Sequence, residues 1–209
     1  MNALKKHGFL YHLLDVLFNI VVIVAIVAAI RTFLVSPFQV EGNSMVDTLT
    51  DKEYIIINKL AYYIGQPQRG DVVVFRPPTD PDKYYVKRVI GLPGDEVTIE
   101  GGYVYLKKAG ETELRKLEET GYLNDHNNGK TYRHPPSSGD TSSVSYSVPP
   151  GSYFLLGDNR QGSLDSRSFA ESGGSEEPFV ATNNIKGRVW FIALPLTKIH
   201  ALEPPDYGF

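Results

Sequence analysis

Residues 71–106 read DVVVFRPPTDPDKYYVKRVIGLPGDEVTIEGGYVYL. Residues 71–75 open on Asp71 and continue as an unbroken β-branched and aromatic run closed by Pro77 and Pro78, the pattern of a strand buried on both faces. Residues 84–90 alternate more loosely and end in Gly91-Leu92-Pro93-Gly94-Asp95, a cluster of turn formers. Residues 96–100 and 103–106 flank Gly101-Gly102, which predicts a hairpin closed on glycines. Working outward, residues 54–57, 153–156 and 188–194 supply further short apolar strands. Residues 33–40 are apolar and β-branched but broken by Pro37, which suits an extended segment or an edge strand. Beyond residue 35 almost nothing reads as helix. Many short strands with frequent turn signals predict a mainly β domain, an antiparallel sandwich or partly closed barrel.

The bulk composition sets limits on this domain. A chain of 209 residues accommodates one compact domain with an appendage. With 42% hydrophobic and 22% charged residues it is globular rather than disordered. A net charge of −3 supplies no basic face for nucleic acid. The absence of cysteine removes disulfides, thiolate catalysis and Cys-ligated zinc together.

One segment stands apart. Residues 16–30 are apolar except for Asn19, and from 13 to 35 the run is long enough to cross a hydrocarbon core of ~30 Å. Lys5, Lys6 and His7 precede it, which puts that end on the cytoplasmic side and the rest of the chain outside. A charged start, a short apolar region and Val27-Ala28-Ala29 equally fit a cleavable signal peptide, and Asp15 and Arg31 shorten the run. Hydropathy leaves anchor and signal peptide both open. A buried core helix is disfavoured, because residues 20–30 carry no polar face. Residues 107–150 are rich in Ser, Thr, Asn, Gly, Pro and charge, which predicts a hydrophilic surface insertion, and 171–177 form a second polar loop.

Hydrolytic chemistry needs a nucleophile, a base and a donor for the oxyanion. His7, His12, His126, His134 and His200 are scattered and lack metal-ligand spacing, so neither a Ser-His-Asp triad nor a zinc centre is expected. The alternative base is lysine, whose amine works near pH 7 only when burial depresses its pKa. Lys87 lies within apolar sequence, with Tyr85 and Val89 on its side of the strand. Taken alone, it reads more readily as an exposed edge lysine. Gly42-Asn43-Ser44-Met45 offers a serine on a glycine turn, although a turn serine needs no special role. The stretch from Gly157 to Arg167, GDNRQGSLDSR, interleaves acids and arginines that can tie a loop by charge-assisted hydrogen bonds.

Four boxes in order, behind an apolar span, make the chain resemble the bacterial type I signal peptidases. The boxes are residues 41–49 (EGNSMVDTL), 70–75 (GDVVVF), 85–95 (YVKRVIGLPGD) and 157–167. The resemblance covers roughly residues 1–100 and 150–200. It implies a retained single-pass anchor, an N-terminus in the cytoplasm and a catalytic domain on the outer face of the cell membrane. The domain plan it implies is a tip and anchor at 1–35, a catalytic β core at 36–106 and 151–209, and the insertion at 107–150.

The resemblance also implies the chemistry. Ser44 is then the nucleophile, with its own N–H as oxyanion donor, and Lys87 is the general base. Ser163 orients the amine, and Asp158 with Arg88 and Asp165 with Arg167 brace the loop. An exported preprotein would add as a strand beside Val40, Glu41, Gly42, Tyr85 and Val86, presenting an Ala-x-Ala-like site. The expected partners are signal peptides and the bilayer, with no nucleic acid, no metal and no cofactor, and the protein a monomer. Three departures are visible. Asp47 stands where the family has proline, and a carboxylate facing the site would favour protonated Lys87. Ala170 stands where the last box closes with glycine, and Gly42 replaces a second serine found in some members. A self-cleaving repressor-type serine–lysine peptidase fits less well, because it is cytosolic and carries a DNA-binding region. A membrane-tethered binding module with a decayed site rests on Asp47 alone.

Overall fold

A computed structural model describes residues 3–46, 48–133, 142–169 and 177–208. The first element is an isolated helix, α1 (Ala3–Ala29), which runs into a π-helical turn at Ile30–Leu34. From Gly8 to Leu34 it is long and apolar enough to cross a membrane, with mean hydropathy 2.9 and none of that window buried against the rest of the chain. An apolar helix left bare in this way has no partner within the domain.

Strands then follow closely: β1 (Val35–Gln39), β2 (Tyr54–Asn58), β3 (Val72–Phe75), β4 (Tyr85–Gly91), β5 (Glu96–Glu100) and β6 (Tyr103–Lys107). After these come β7 (Arg115–Lys116), β8 (Val144–Ser147), β9 (Ser152–Leu156), β10 (Val180–Ala181), β11 (Ile185–Leu194) and β12 (His200–Ala201). Among the described residues, two short α-helices, α2 (Ala61–Ile64) and α3 (Ser166–Phe169), and two 3-10 turns, at Thr182–Asn184 and Leu196–Lys198, interrupt them. The main sheet runs β1-β2-β11-β3-β4-β9-β10, with β12 also on β11, and the smaller sheet runs β7-β6-β5-β8. Every described pairing is antiparallel. The mainly β architecture expected from the sequence is the one observed.

Alternation along the strands explains why the run at 72–75 is uniformly apolar. Val72 and Val74 enter a core with Ile55, Ile57, Met45 and Leu49, while Val73 and Phe75 enter another with Val89, Leu155 and Phe169. A third core, built on Ile90, Val97, Leu106, Phe154 and Leu156, joins the two sheets. Pro37 sits in β1, the edge strand, where a missing N–H costs little. Gly101 and Gly102 close the β5–β6 hairpin with φ of 58° and 86°, a geometry that favours glycine at both positions.

Four strands were not legible in the sequence. β7, β10 and β12 are two residues each, too short for any periodicity to show. β8 lies inside the polar 107–150 stretch, and only the alternation of Val144 and Tyr146 with serines marks it. Phe33 and Leu34, expected in an extended segment, belong to the helical turn instead. The polar loop at 171–177 falls almost wholly outside the described residues, as does His134.

Gly91 offers a direct test of packing between the sheets. A Cβ there would meet Val97 Cγ2 at 2.7 Å, Val148 Cγ2 at 2.9 Å and Phe154 Cβ at 3.0 Å. Gly91→Ala is therefore expected to destabilise the domain by about 1–3 kcal/mol through overpacking. Denaturant titration at unchanged m-value measures this; a shift within a few tenths of a kcal/mol would show that the junction yields.

Candidate active site

The turn after β1 carries Ser44, and its shape is set locally. Gly42 adopts φ +85°, and its N–H donates to Asp51 Oδ1 at 2.8 Å. Met45 and Leu49 then drop into the core, which leaves Ser44 half-buried at the lip of the sheet. Across the gap, β4 delivers Lys87, which is buried at 3% exposure. Its Nζ donates to Ser44 Oγ at 2.6 Å and to the Val86 carbonyl at 2.8 Å, and it lies 5.5 Å from the centre of the Tyr85 ring. The serine and lysine singled out in the sequence thus meet. Burial pushes the amine down to about 8 from an ordinary 10.5, Asp165 and Asp158 pull it back up, and Arg167 pushes it down.

The 157–167 loop is pinned behind this pair. Asn159 N–H donates to Ser44 O at 3.1 Å, and Asn159 Nδ2 donates to Asn43 O at 3.1 Å. Gly157 makes the close approach possible, since a Cβ there would overlap Ser163 Oγ and lie 2.5 Å from Ser44 O. Asp158 receives Arg88 bidentately at 2.9 and 2.7 Å and Thr48 Oγ1 at 2.6 Å. Asp165 receives Arg167 Nε and Nη2, both at 2.8 Å, and the Gly157 N–H at 2.9 Å. Although burial opposes it, the Arg167 charge and these hydrogen bonds hold the Asp165 carboxyl below its usual range. Ser163 Oγ is buried and makes no well-formed hydrogen bond. It lies near the Asp165 carboxylate, whose acidity it supports, rather than on the Lys87 amine.

A cleft of about 540 Å³ opens onto the pair. Val40, Glu41, Gly42, Tyr85 and Val86 all line it. Ile55, Val74 and Leu164 add apolar surface to it. Strand β1 is an edge, and β9 pairs with β4 only from Arg88 onward, so both walls of the cleft carry unpaired backbone. Sequence reasoning missed Thr48, Asn159, Gly157 and Arg160 as individual contributors, although all lie within the quoted boxes. Their partners are 110 or more residues away for Thr48 and Asn159, and nothing local marks them. Both Asp47 and Ala170 lie outside the described residues.

Comparison with known proteins follows the same line. A family model described as "Signal peptidase, peptidase S26" matches residues 13–194. The chain is similar to a signal peptidase I of Bacillus caldolyticus, 40% identical over 172 residues, covering 81% of this chain and 85% of that one. It is 36% identical over 176 residues to a signal peptidase I of Bacillus amyloliquefaciens, covering 84% and 82% respectively. Among solved structures, a signal peptidase I from Enterococcus faecalis V583 aligns at 28% identity with a TM-score of 0.40, over 60% of this chain and 98% of that one.

The depressed amine has a consequence for stability. Between pH 8 and 10.5 the unfolded chain holds the Lys87 proton and the folded one does not, so folding gains stability as pH rises through that window. Below pH 8 the full cost of burying the charge is paid. Lys87→Met is therefore expected to raise the unfolding midpoint at pH 7, with the gain shrinking above pH 8. Denaturant melts across this range measure it, and a gain that grows with pH would contradict the burial argument.

Proposed function

This chain belongs to the signal peptidase I family of serine endopeptidases, which remove signal peptides, and on that premise we propose that Ser44 is its nucleophile and Lys87 its general base. The observation that carries this reading is the 2.6 Å contact between a half-buried serine hydroxyl and a buried amine whose pKa is lowered. Neutral Lys87 Nζ accepts the Ser44 proton as Oγ attacks the scissile carbonyl carbon. The resulting oxyanion is held by the backbone N–H of Ser44. Collapse gives an ester on Ser44, and the ammonium returns its proton to the departing amine. Water then donates a proton to Lys87 as it attacks the ester, and the ammonium passes that proton to Ser44 Oγ as the acyl C–O bond breaks, which releases the signal peptide as its carboxylic acid.

The preprotein lies extended between the free edges of β1 and β4, so that its backbone pairs with Val40–Gly42 and Tyr85–Val86. Small side chains of an Ala-x-Ala-like site enter the shallow apolar floor contributed by Ile55, Val74 and Val86. Ser163 stays with the Asp165 carboxylate, and the Arg88–Asp158 and Arg167–Asp165 pairs keep the loop in place.

The helix at 8–34 is a retained anchor, with the N-terminus in the cytoplasm and the catalytic domain on the outer face. Two features support this part of the reading. Lys59 Nζ donates to the carbonyls of Arg31 and Thr32 at 3.1 and 3.2 Å, which fixes the helix end to the sheet. Leu60, Tyr63 and Ile64 follow at once and are exposed, where a bilayer surface would cover them. The enzyme acts as a monomer.

Ser44→Ala and Lys87→Ala are each expected to abolish cleavage of a signal-bearing precursor by the detergent-solubilised protein. For the native chain, kcat/KM is expected to rise with pH through about 8 as the amine deprotonates. Substantial residual cleavage by either variant would remove the assignment.

A further inference from the structure

The catalytic loop leans on a part of the chain that the proposed mechanism does not use. Arg160 is fully buried, and its counter-ion comes from the 107–150 stretch. Its Nη1 and Nη2 donate to Glu119 Oε2 and Oε1 at 3.0 and 2.6 Å, and Nη1 also reaches Thr131 Oγ1 at 2.7 Å. The Arg160 N–H donates to Asn127 Oδ1 at 2.9 Å. On its other side, Arg160 Nε donates to Gly157 O at 3.0 Å. Gly157 is the residue wedged between Ser163 and the Ser44 carbonyl.

Tyr122 joins this group to the Arg88 pair. Its hydroxyl donates to Glu119 Oε1 at 2.6 Å, and its ring lies 4.1 Å from the Arg88 guanidinium carbon. Three buried ion pairs thus stand together: Arg88 with Asp158, Arg160 with Glu119, and Arg167 with Asp165. The set is electrically balanced only with Glu119 present. Without it, Arg160 would remain buried and unpaired beside Asp158, which already attracts it. Drawn toward Asp158, it would compete with Arg88 and Thr48 and release its hold on Gly157.

We propose that Glu119 is a positioning residue for catalysis, holding Arg160 so that the Gly157 corner keeps Ser44 and Ser163 in place. It touches neither substrate nor reacting atoms and acts chiefly through Arg160, with Tyr122 as a second contact. The polar 107–150 stretch is then a working part of the site rather than a decoration on it. This rests on the assignment of Ser44 as nucleophile, so the test carries Ser44→Ala alongside.

The experiment is steady-state cleavage of a signal-bearing precursor by the full-length protein in detergent, held well below each variant's unfolding midpoint. Glu119→Gln is expected to lower kcat roughly ten- to hundredfold with KM unchanged, the scale on which a small misplacement acts from a distance. Glu119→Gln combined with Arg160→Gln is expected to regain part of that loss, because the stray charge is gone. Ile99→Ala, a core change in the smaller sheet, should lower stability and leave kcat within twofold. A Glu119→Gln enzyme with kcat within twofold of the native chain, or with a loss confined to KM, overturns the proposal. So does a double variant no faster than Glu119→Gln. If Glu119→Gln does not accumulate folded, Glu119→Asp decides: a kcat lowered threefold or more at constant KM supports the role, and an unchanged kcat overturns it. Cleavage by Ser44→Ala would instead sink the nucleophile assignment, an outcome independent of any Glu119 result.

Discussion

Keeping water from one amine is the constraint on which the arrangement around the cleft depends. Lys87 is charged in water and costs free energy when buried, so the protein must surround it without handing it a carboxylate at contact distance. Asp158 and Asp165 are close enough to act on it, yet each is engaged by its own arginine. The remaining partners of Lys87 are a hydroxyl and a carbonyl, which solvate an amine without fixing its charge. The buried ion pairs therefore do more than hold a loop. They place charge near the amine already neutralised, which lets burial dominate.

The same economy governs the edges. An open sheet edge is ordinarily a hazard, since unpaired backbone invites another strand. Here β1 and the start of β4 are left unpaired on the two sides of one cleft, whereas the smaller sheet covers the junction beyond Gly91. Pro37 and the short length of β1 limit what else can pair there. A groove bounded by two free edges accepts an extended peptide of almost any sequence by its backbone.

The site is assembled from pieces far apart in the chain. Ser44 and Lys87 are 43 positions apart, Thr48 and Asp158 are 110 apart, and Glu119 reaches Arg160 across 41. Strands of four to seven apolar residues bounded by Gly, Pro or Asp were legible one by one, as were the glycine hairpin and the bare apolar helix. The four quoted boxes were legible as motifs. The two-residue strands were not, because no period can be read from two residues. Nor were the contributions of Thr48, Glu119 and Arg160, whose residue types are common in polar loops and become informative only once their partners are known.

By itself, then, the sequence determined the element types and the apolar span, which follow from local periodicity and composition, while the residues able to carry serine–lysine chemistry were named only by the resemblance of four boxes. Only the tertiary structure decided that Lys87 is buried rather than exposed on an edge, and that Ser44 lies against it. The reason is physical: a pKa depends on what excludes water and which charges stand nearby, and both are set by strands brought together from distant parts of the chain. The same holds for the polar stretch at 107–150. Its composition speaks of solvent, yet Glu119, Asn127 and Thr131 are buried, because Arg160 gives each of them a partner that water would otherwise have supplied.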